Sequence, residues 1–475
     1  METIVLYPSP FMGHLISMVE LGKLILNHHP SHSISIHILI TTTPSINVGS
    51  TAPYIASVSA ATPSITFHHL PAPSPPLDPI SFPSIELFMF EHLNRTNPHV
   101  HNALLSISQS SPIQAFIIDL FCSTALKIAT SLHIPTYYFF TSGISCLSMI
   151  IYLPSLHKST TKSFKDLNHT LLHVPGLPPF PASHMPDPTL DRTKEAYSCF
   201  VNIATHLPKS AGIIANSFDS LEPRALETIT NGLCVPDGPT PPIFCIGPLI
   251  ASNERRGDEA EQCLKWLDKQ SSRSVVFLCF GSMGLFSKEQ LKEIALGLER
   301  SEQRFLWVVR SPPTKEESKD FSPTPEPDLD SLLPDGFLDR TKERGLVVKQ
   351  WAPQVAVLNH DSVAGFVTHC GWNSVLESVV AGVPMVAWPL YAEQRFNKTL
   401  LVEELKLALP MNESEGGLVS AAEVEKRVRE LMDSEEGNSI RERVKAKKEE
   451  AIVATSEGES SRIALAKLVQ SWKQG

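Results

Sequence analysis

An α/β protein made of two doubly wound parallel-sheet units in tandem is what this sequence predicts. Short β-rich runs alternate with stretches long enough for crossover helices, and parallel strands need such crossovers. The alternation occurs twice along the chain. Charge also changes halfway: 24 of the first 250 residues are Lys, Arg, Asp or Glu, against 66 of the remaining 225. At about 150 residues per domain, a chain of 475 residues makes two or three packed units.

The first half offers strands at I-V-L-Y-P (4–8), S-I-S-I-H-I-L-I (33–40), A-F-I-I-D-L (115–120), T-Y-Y-F-F (136–140) and G-I-I-A-N-S (212–217). The second half repeats the scheme with strands at 274–282, 304–309, 346–351, 363–369 and 384–389, and helices near 287–301, 373–381 and 392–405. Each run is short and rich in β-branched and aromatic residues, as strands covered on both faces require. Proline marks the joints, because it fixes φ and gives no ladder donor. Of 39 prolines, 23 fall in 71–83, 175–188, 236–248 and 312–334. The third stretch coincides with the change in charge density and sets an interdomain linker at 246–265, between domains 1–245 and 266–455. From Ala421 the tail reads as helical and densely charged.

The formal charge of -10 and the lack of a basic stripe with interleaved aromatics argue against nucleic acid as a partner. Eight cysteines without a C-x-x-C pair read as reduced, mostly buried thiols. The N-terminus lacks a basic signal-peptide region, and the longest apolar run, 137–153, is interrupted by polar residues. A cytoplasmic protein without membrane insertion is therefore expected. No G-x-G-x-x-G and no P-loop motif occurs, which speaks against dinucleotide oxidoreductases and P-loop nucleotidases.

In open α/β sheets, ligands bind beyond the carboxyl ends of the strands. The first strand runs into P-S-P-F-M-G-H, so His14 sits at a strand end beside a helix start, where the two units would form a cleft. An imidazole there suits a general base, since its ordinary pKa lies near working pH. A cap or core histidine is the alternative. Asp119 ends the apolar strand A-F-I-I-D-L and could steady such a histidine or cap the next helix. His369, Asn373 and Ser374, in H-C-G-W-N-S, follow another strand and open a helix, the arrangement that binds anions. The turn Gly281-Ser282-Met283-Gly284 is similar, and two donor-rich turns on one sheet suit a diphosphate. The single D-x-D, Asp328 and Asp330, lies in the Pro-rich stretch 312–334 and reads as a solvated acidic loop. His28, His29, His32 and His37 read as a helix end and strand surface rather than a metal site.

The 44 residues from Trp351 to Gln394 resemble the signature box of plant family 1 UDP-sugar-dependent glycosyltransferases, and the resemblance runs from V-L-Y-P-S-P-F-M-G-H to the C-terminal helices. It implies the GT-B fold, with an N-terminal acceptor-binding domain, a C-terminal UDP-sugar-binding domain, and a final helix, 456–475, that packs back on the first. By the same resemblance Trp351 stacks on uracil, the Ala352 backbone reads the base edge, and Gln354 and Glu377 hold the ribose. His369, Asn373, Ser374 and Ser282 hold the diphosphate, Glu393 and Gln394 bind the sugar, and Thr141 touches it. Many relatives have Asp at position 393. Gln394 implies glucose over galactose, and Trp372, where an Arg would stand, argues against glucuronic acid.

The implied mechanism is inverting and needs no metal or cofactor: His14 takes the acceptor proton and Asp119 steadies the imidazolium. UDP-glucose is the co-substrate and a small aromatic, flavonoid-like molecule the acceptor. Phe11, Phe88, Phe121, Phe180 and Phe200 are candidate pocket residues. A monomer is expected. C-glycosylation of a flavonoid or chalcone ring, a nucleotide-sugar binding protein without turnover, and a metal-dependent transferase using Asp328 and Asp330 are the alternatives.

Overall fold

The computed structural model describes residues 2–28, 34–41, 51–251, 257–313 and 325–472. His29, His32 and residues 314–324 of the Pro-rich stretch lie outside the described residues. Residues up to Ile250 and from Val453 onward form one compact unit; those between Ala251 and Ile452 supply the body of the other.

The first unit is built on β1 (Glu2–Tyr7), β2 (Ile34–Ile40), β3 (Ile65–His69), β4 (Ile113–Asp119) and β5 (Thr136–Phe140), a two-stranded hairpin of β6 (Leu171–Leu172) and β7 (Phe180–Pro181), then β8 (Gly212–Ala215) and β9 (Ile243–Cys245). The main sheet runs β3-β2-β1-β4-β5-β8-β9, all parallel. Its middle strands are largely apolar, as strands covered on both faces require, and Ile4, Leu6, Ile36, Ile38 and Ile117 are completely buried. After β3 the chain crosses back through the long helix Ile85–Ser110, whose N-cap Ser84 accepts from the Leu87 amide, to enter β4 on the other side of β1. Strand order therefore reverses between β1 and β4, and loops leaving these two strands diverge to open a crevice.

The C-terminal helix Ser460–Ser471 belongs to this unit. Leu465, Leu468, Val469 and Trp472 enter the core that holds Ile4 and Leu6. Ser461 donates to the Gly247 carbonyl at 2.6 Å, and the Tyr137 and Ser471 hydroxyls are 2.8 Å apart.

The second unit repeats the design with β10 (Val275–Cys279), β11 (Arg304–Val309), β12 (Gly345–Lys349), β13 (Val363–Thr368), β14 (Met385–Ala387) and β15 (Ala408–Pro410). They pair in the order β12-β11-β10-β13-β14-β15, again all parallel. The reversal falls between β10 and β13. Ser287 caps the helix Lys288–Ser301 by accepting from the Gln290 amide, and Gly382, at φ 77°, ends the helix Trp372–Ala381 in the left-handed region that glycine adopts without strain. A helix, Asp258–Leu267, occupies the second half of the stretch read as linker.

Strands β3, β9 and β15 had no counterpart in the sequence reading. β3 lies at the sheet edge with only Ile65 buried, so it lacks the continuous apolar run of the central strands. β9 and β15 span three residues each. All eight cysteines are free thiols, six of them buried. Among the described residues no helix is long and apolar enough to cross a membrane.

Candidate active site

The loop leaving β1 and the end of β4 meet at one point. His14, in the first turn of the helix Met12–His28, places Nδ1 2.6 Å from Asp119 Oδ2. Asp119 is completely buried and its other oxygen accepts from the Phe121 amide at 3.0 Å. The two readings open from sequence, histidine partner and turn cap, are thus both realised, one on each carboxylate oxygen. The imidazole side chain keeps 25% of its exposure against 1% for Asp119. A carboxylate on Nδ1 selects the tautomer protonated there and leaves Nε2 as the basic nitrogen. Thr141, the first residue after β5, sets Oγ1 3.4 Å from the same Nδ1, and its neighbour Ser142 is buried.

Aromatic rings surround this pair. Phe11 and Phe121 each lie 5.8 Å from the His14 ring, and Phe200 lies 6.1 Å from Phe121. Phe90, not singled out from sequence, completes the cluster at 5.6 Å from Phe121 and 5.8 Å from Phe200. Phe88 and Phe180 are not part of it. Phe88 is buried against Phe82 and His92, and Phe180 is fully buried in the hairpin. Phe88 and Phe90 sit on one helix about 200° apart around its axis, so only one of them could look toward His14.

The second unit gathers its candidates at the corresponding edge. Gly281 follows β10 with φ +72°, and a Cβ there would stand 2.6 Å from His369 Nε2. A Cβ on Gly371 would stand 2.4 Å from the same nitrogen. The imidazole of His369 is thus pressed between two glycine backbones. Burial holds its pKa down at about 4, so the ring is neutral at working pH. Its Nδ1 has no hydrogen-bond partner among the described residues. Cys370 takes φ 66° to turn the chain into the helix that Trp372, Asn373 and Ser374 open. Trp372 and Ser374 are buried, Asn373 is half-buried and Ser282 is exposed.

Gln354 joins this helix to the Trp351–Pro353 segment: its amide nitrogen donates to Ser374 Oγ at 2.8 Å and to Glu377 Oε2 at 2.6 Å. Trp351 is half-buried and Ala352 buried beside it. Gln394 is buried, and its side-chain oxygen accepts from the Leu390 and Tyr391 amides at 2.9 and 3.0 Å, which shapes the loop that carries Glu393. Asn397, buried one turn further on, donates to the Cys370 carbonyl at 2.9 Å and fixes that loop to the His369 turn. Asn397 was missed from sequence, because an asparagine inside a helical segment gives no sign of what it will bind.

Asp328 and Asp330 are exposed and lie near Lys349, which is paired with Glu326 at 2.6 Å. Among the described residues no group of three His, Cys, Asp or Glu side chains could hold a metal ion.

Two Rossmann-like units in one chain, one carrying a histidine–aspartate pair and the other a buried, neutral histidine between two glycine turns, make a protein of GT-B fold. The family described as UDP-glucoronosyl and UDP-glucosyl transferase matches residues 241–440. UDP-glycosyltransferase 88B1 of Stevia rebaudiana is 53% identical over 469 residues, 99% of this chain and 98% of that one. Phloretin 2'-O-glucosyltransferase of Malus domestica is 52% identical, with 99% of each chain covered. The solved structure of Phytolacca americana UGT2 complexed with UDP-2fluoro-glucose and pterostilbene superposes with a TM-score of 0.87 at 38% identity over the whole of both chains. This chain belongs to that family and is a UDP-sugar-dependent glycosyltransferase.

Proposed function

We propose that this chain transfers glucose from UDP-glucose to the hydroxyl of a phenolic, flavonoid-like acceptor, with inversion at the anomeric carbon and His14 as general base. The observation that carries this reading is the 2.6 Å contact of His14 with buried Asp119 amid the rings of Phe11, Phe121, Phe90 and Phe200. A flat aromatic acceptor suits such walls, because offset and edge-on ring contacts add to the burial of its surface. The names of the relatives, phloretin for one and pterostilbene in the complex of another, fit the same acceptor class.

Nε2 of His14 takes the phenolic proton as the oxygen attacks the anomeric carbon from the face opposite UDP. Asp119 stabilises the imidazolium that forms, without itself being protonated. The C–O bond to the β-phosphate breaks and its electron pair stays on UDP. The amides of the Gly281 and Gly371 turns, with Asn373 and Ser374, meet that charge with fixed dipoles. Trp351 stacks on the uracil, Gln354 and Glu377 hold the ribose, and Glu393 and Gln394 the glucose hydroxyls. No residue of this set calls for a metal.

Incubating the pure protein with EDTA, UDP-glucose and a panel of flavonoids, chalcones and simple phenols, with fragmentation mass spectrometry, tests the reading. An O-linked hexose adduct is expected. A carbon-linked adduct would move the chemistry to ring C-glycosylation; no adduct and no UDP release with any acceptor would leave a binding protein without turnover; activity lost with EDTA would point to a metal.

A further inference from the structure

Arg310 directly follows β11, and its guanidinium Nε and Nη1 are buried with no hydrogen-bond partner among the described residues. Those two nitrogens forfeit solvation without gaining a hydrogen bond from the described residues, a cost that an anionic ligand nearby would offset. Its surroundings say what that is. Arg310 lines a small cavity with Phe280, Gly281, Gly284 and Phe286, directly behind the turn that leaves β10. Gly281 is the residue pressed against His369. The charge of Arg310 is also felt at Cys279 and Tyr391: burial pushes the thiol up to about 11 and the phenol up to about 12, and Arg310 opposes both shifts. Two other arginines of this unit are neutralised, Arg395 by Glu413 at 3.1 Å and Arg340 by Glu299 at 2.5 Å.

We propose that Arg310 is a positioning residue for the donor diphosphate: an unpaired positive charge behind the β10 turn that favours UDP over the uncharged nucleoside and steadies the charge gathering on UDP as the sugar leaves. The inference rests on the donor reading above. Amide dipoles and the neutral His369 supply only partial charges, whereas a guanidinium supplies a full one. The signal that singled out Asp119, a charged residue at the carboxyl end of an apolar strand, also marks Arg310.

Calorimetric binding of UDP and of uridine to the wild type and to R310Q, R310M and R310K tests it. Met keeps the apolar stem and adds no unpaired polar atom, so it serves should the Gln variant not fold. In the neutral variants UDP binding is expected to weaken about tenfold, an ordinary worth for one partly buried charge. Uridine binding should change less than about twofold, and R310K should hold the wild-type ratio within about threefold. The kcat should fall with UDP affinity while the acceptor KM stays unchanged. A folded neutral variant with the wild-type ratio of UDP to uridine affinity, or an equal loss of both ligands, overturns the role of Arg310 alone. A wild type that fails to bind UDP overturns the donor reading and this inference together.

Discussion

The carboxyl ends of β1 and β4 and those of β10 and β13 are the same topological feature built twice, and they carry opposite chemistry. Each has a histidine beside a helix start. At the first edge His14 is a quarter exposed and its Nδ1 meets a buried carboxylate. At the second, His369 is sealed between Gly281 and Gly371, with no partner on Nδ1 among the described residues and its pKa held down at about 4. On the function proposed above, the first histidine gains a proton and the second stays neutral among donors. Equal topology supplies two ligand crevices, and the residue on the next strand decides what each can do.

The largest effect should come from breaking the first edge. H14A and D119N are each expected to lower kcat by about a thousandfold or more, the worth of a base and of its orienting carboxylate. UDP affinity measured by calorimetry should remain within about twofold, since nothing at the second edge changes; an equal loss of turnover and UDP binding would dissolve the contrast between the two edges.

A second effect concerns stability. Because the pKa of His369 in the fold lies near 4, below the usual 6.5 of an unfolded histidine, the unfolded chain binds the extra proton first. Stability from this group is complete above about pH 6.5 and is lost as pH falls toward 4, by about 2 kcal/mol at pH 5. Denaturant unfolding at pH 5 and 7 should show that loss, and H369N should reduce it. His92, also held near 4 by burial, adds a loss of the same sign in the first unit.

Placing a methyl group between Gly281 and His369 is expected to cost about tenfold in UDP affinity, because the left-handed backbone and the contact both resist it. G281A should leave the pH profile set by His14 unmoved. F90A should raise the acceptor KM several-fold, to about tenfold, through lost ring contact, with the KM for UDP-glucose unchanged. D328N combined with D330N should alter activity by less than about twofold, with or without added Mn²⁺, because both carboxylates are solvated.

Much of this was legible in the chain. The central strands announced themselves because strands buried on both faces must be apolar throughout, and a strand ending in Asp119 or running into His14 marks a ligand edge. The segment from Trp351 to Gln394 was legible as a continuous run, since its residues lie on a short helix, β13, the helix Trp372–Ala381, β14 and the loops that join them. The strands β3, β9 and β15 were not legible, because they draw their definition from neighbours rather than from a pattern of their own.

What the sequence alone determined is therefore the two-unit α/β architecture and the residue types at the strand ends, both of them properties of local runs and of apolar periodicity. Tertiary structure decided the rest. Asp119 reaches His14 across 105 positions of chain only because β1 and β4 pair in parallel with matched ends. The choice of Phe90 over Phe88, and of Phe11, Phe121 and Phe200 over Phe180, follows from helix phase and from which loops converge. His369 becomes neutral, and two nitrogens of Arg310 are left without a partner among the described residues, through what surrounds them: the charge state of a side chain depends on the solvent and partners it loses on folding, and no local run of residues contains that information.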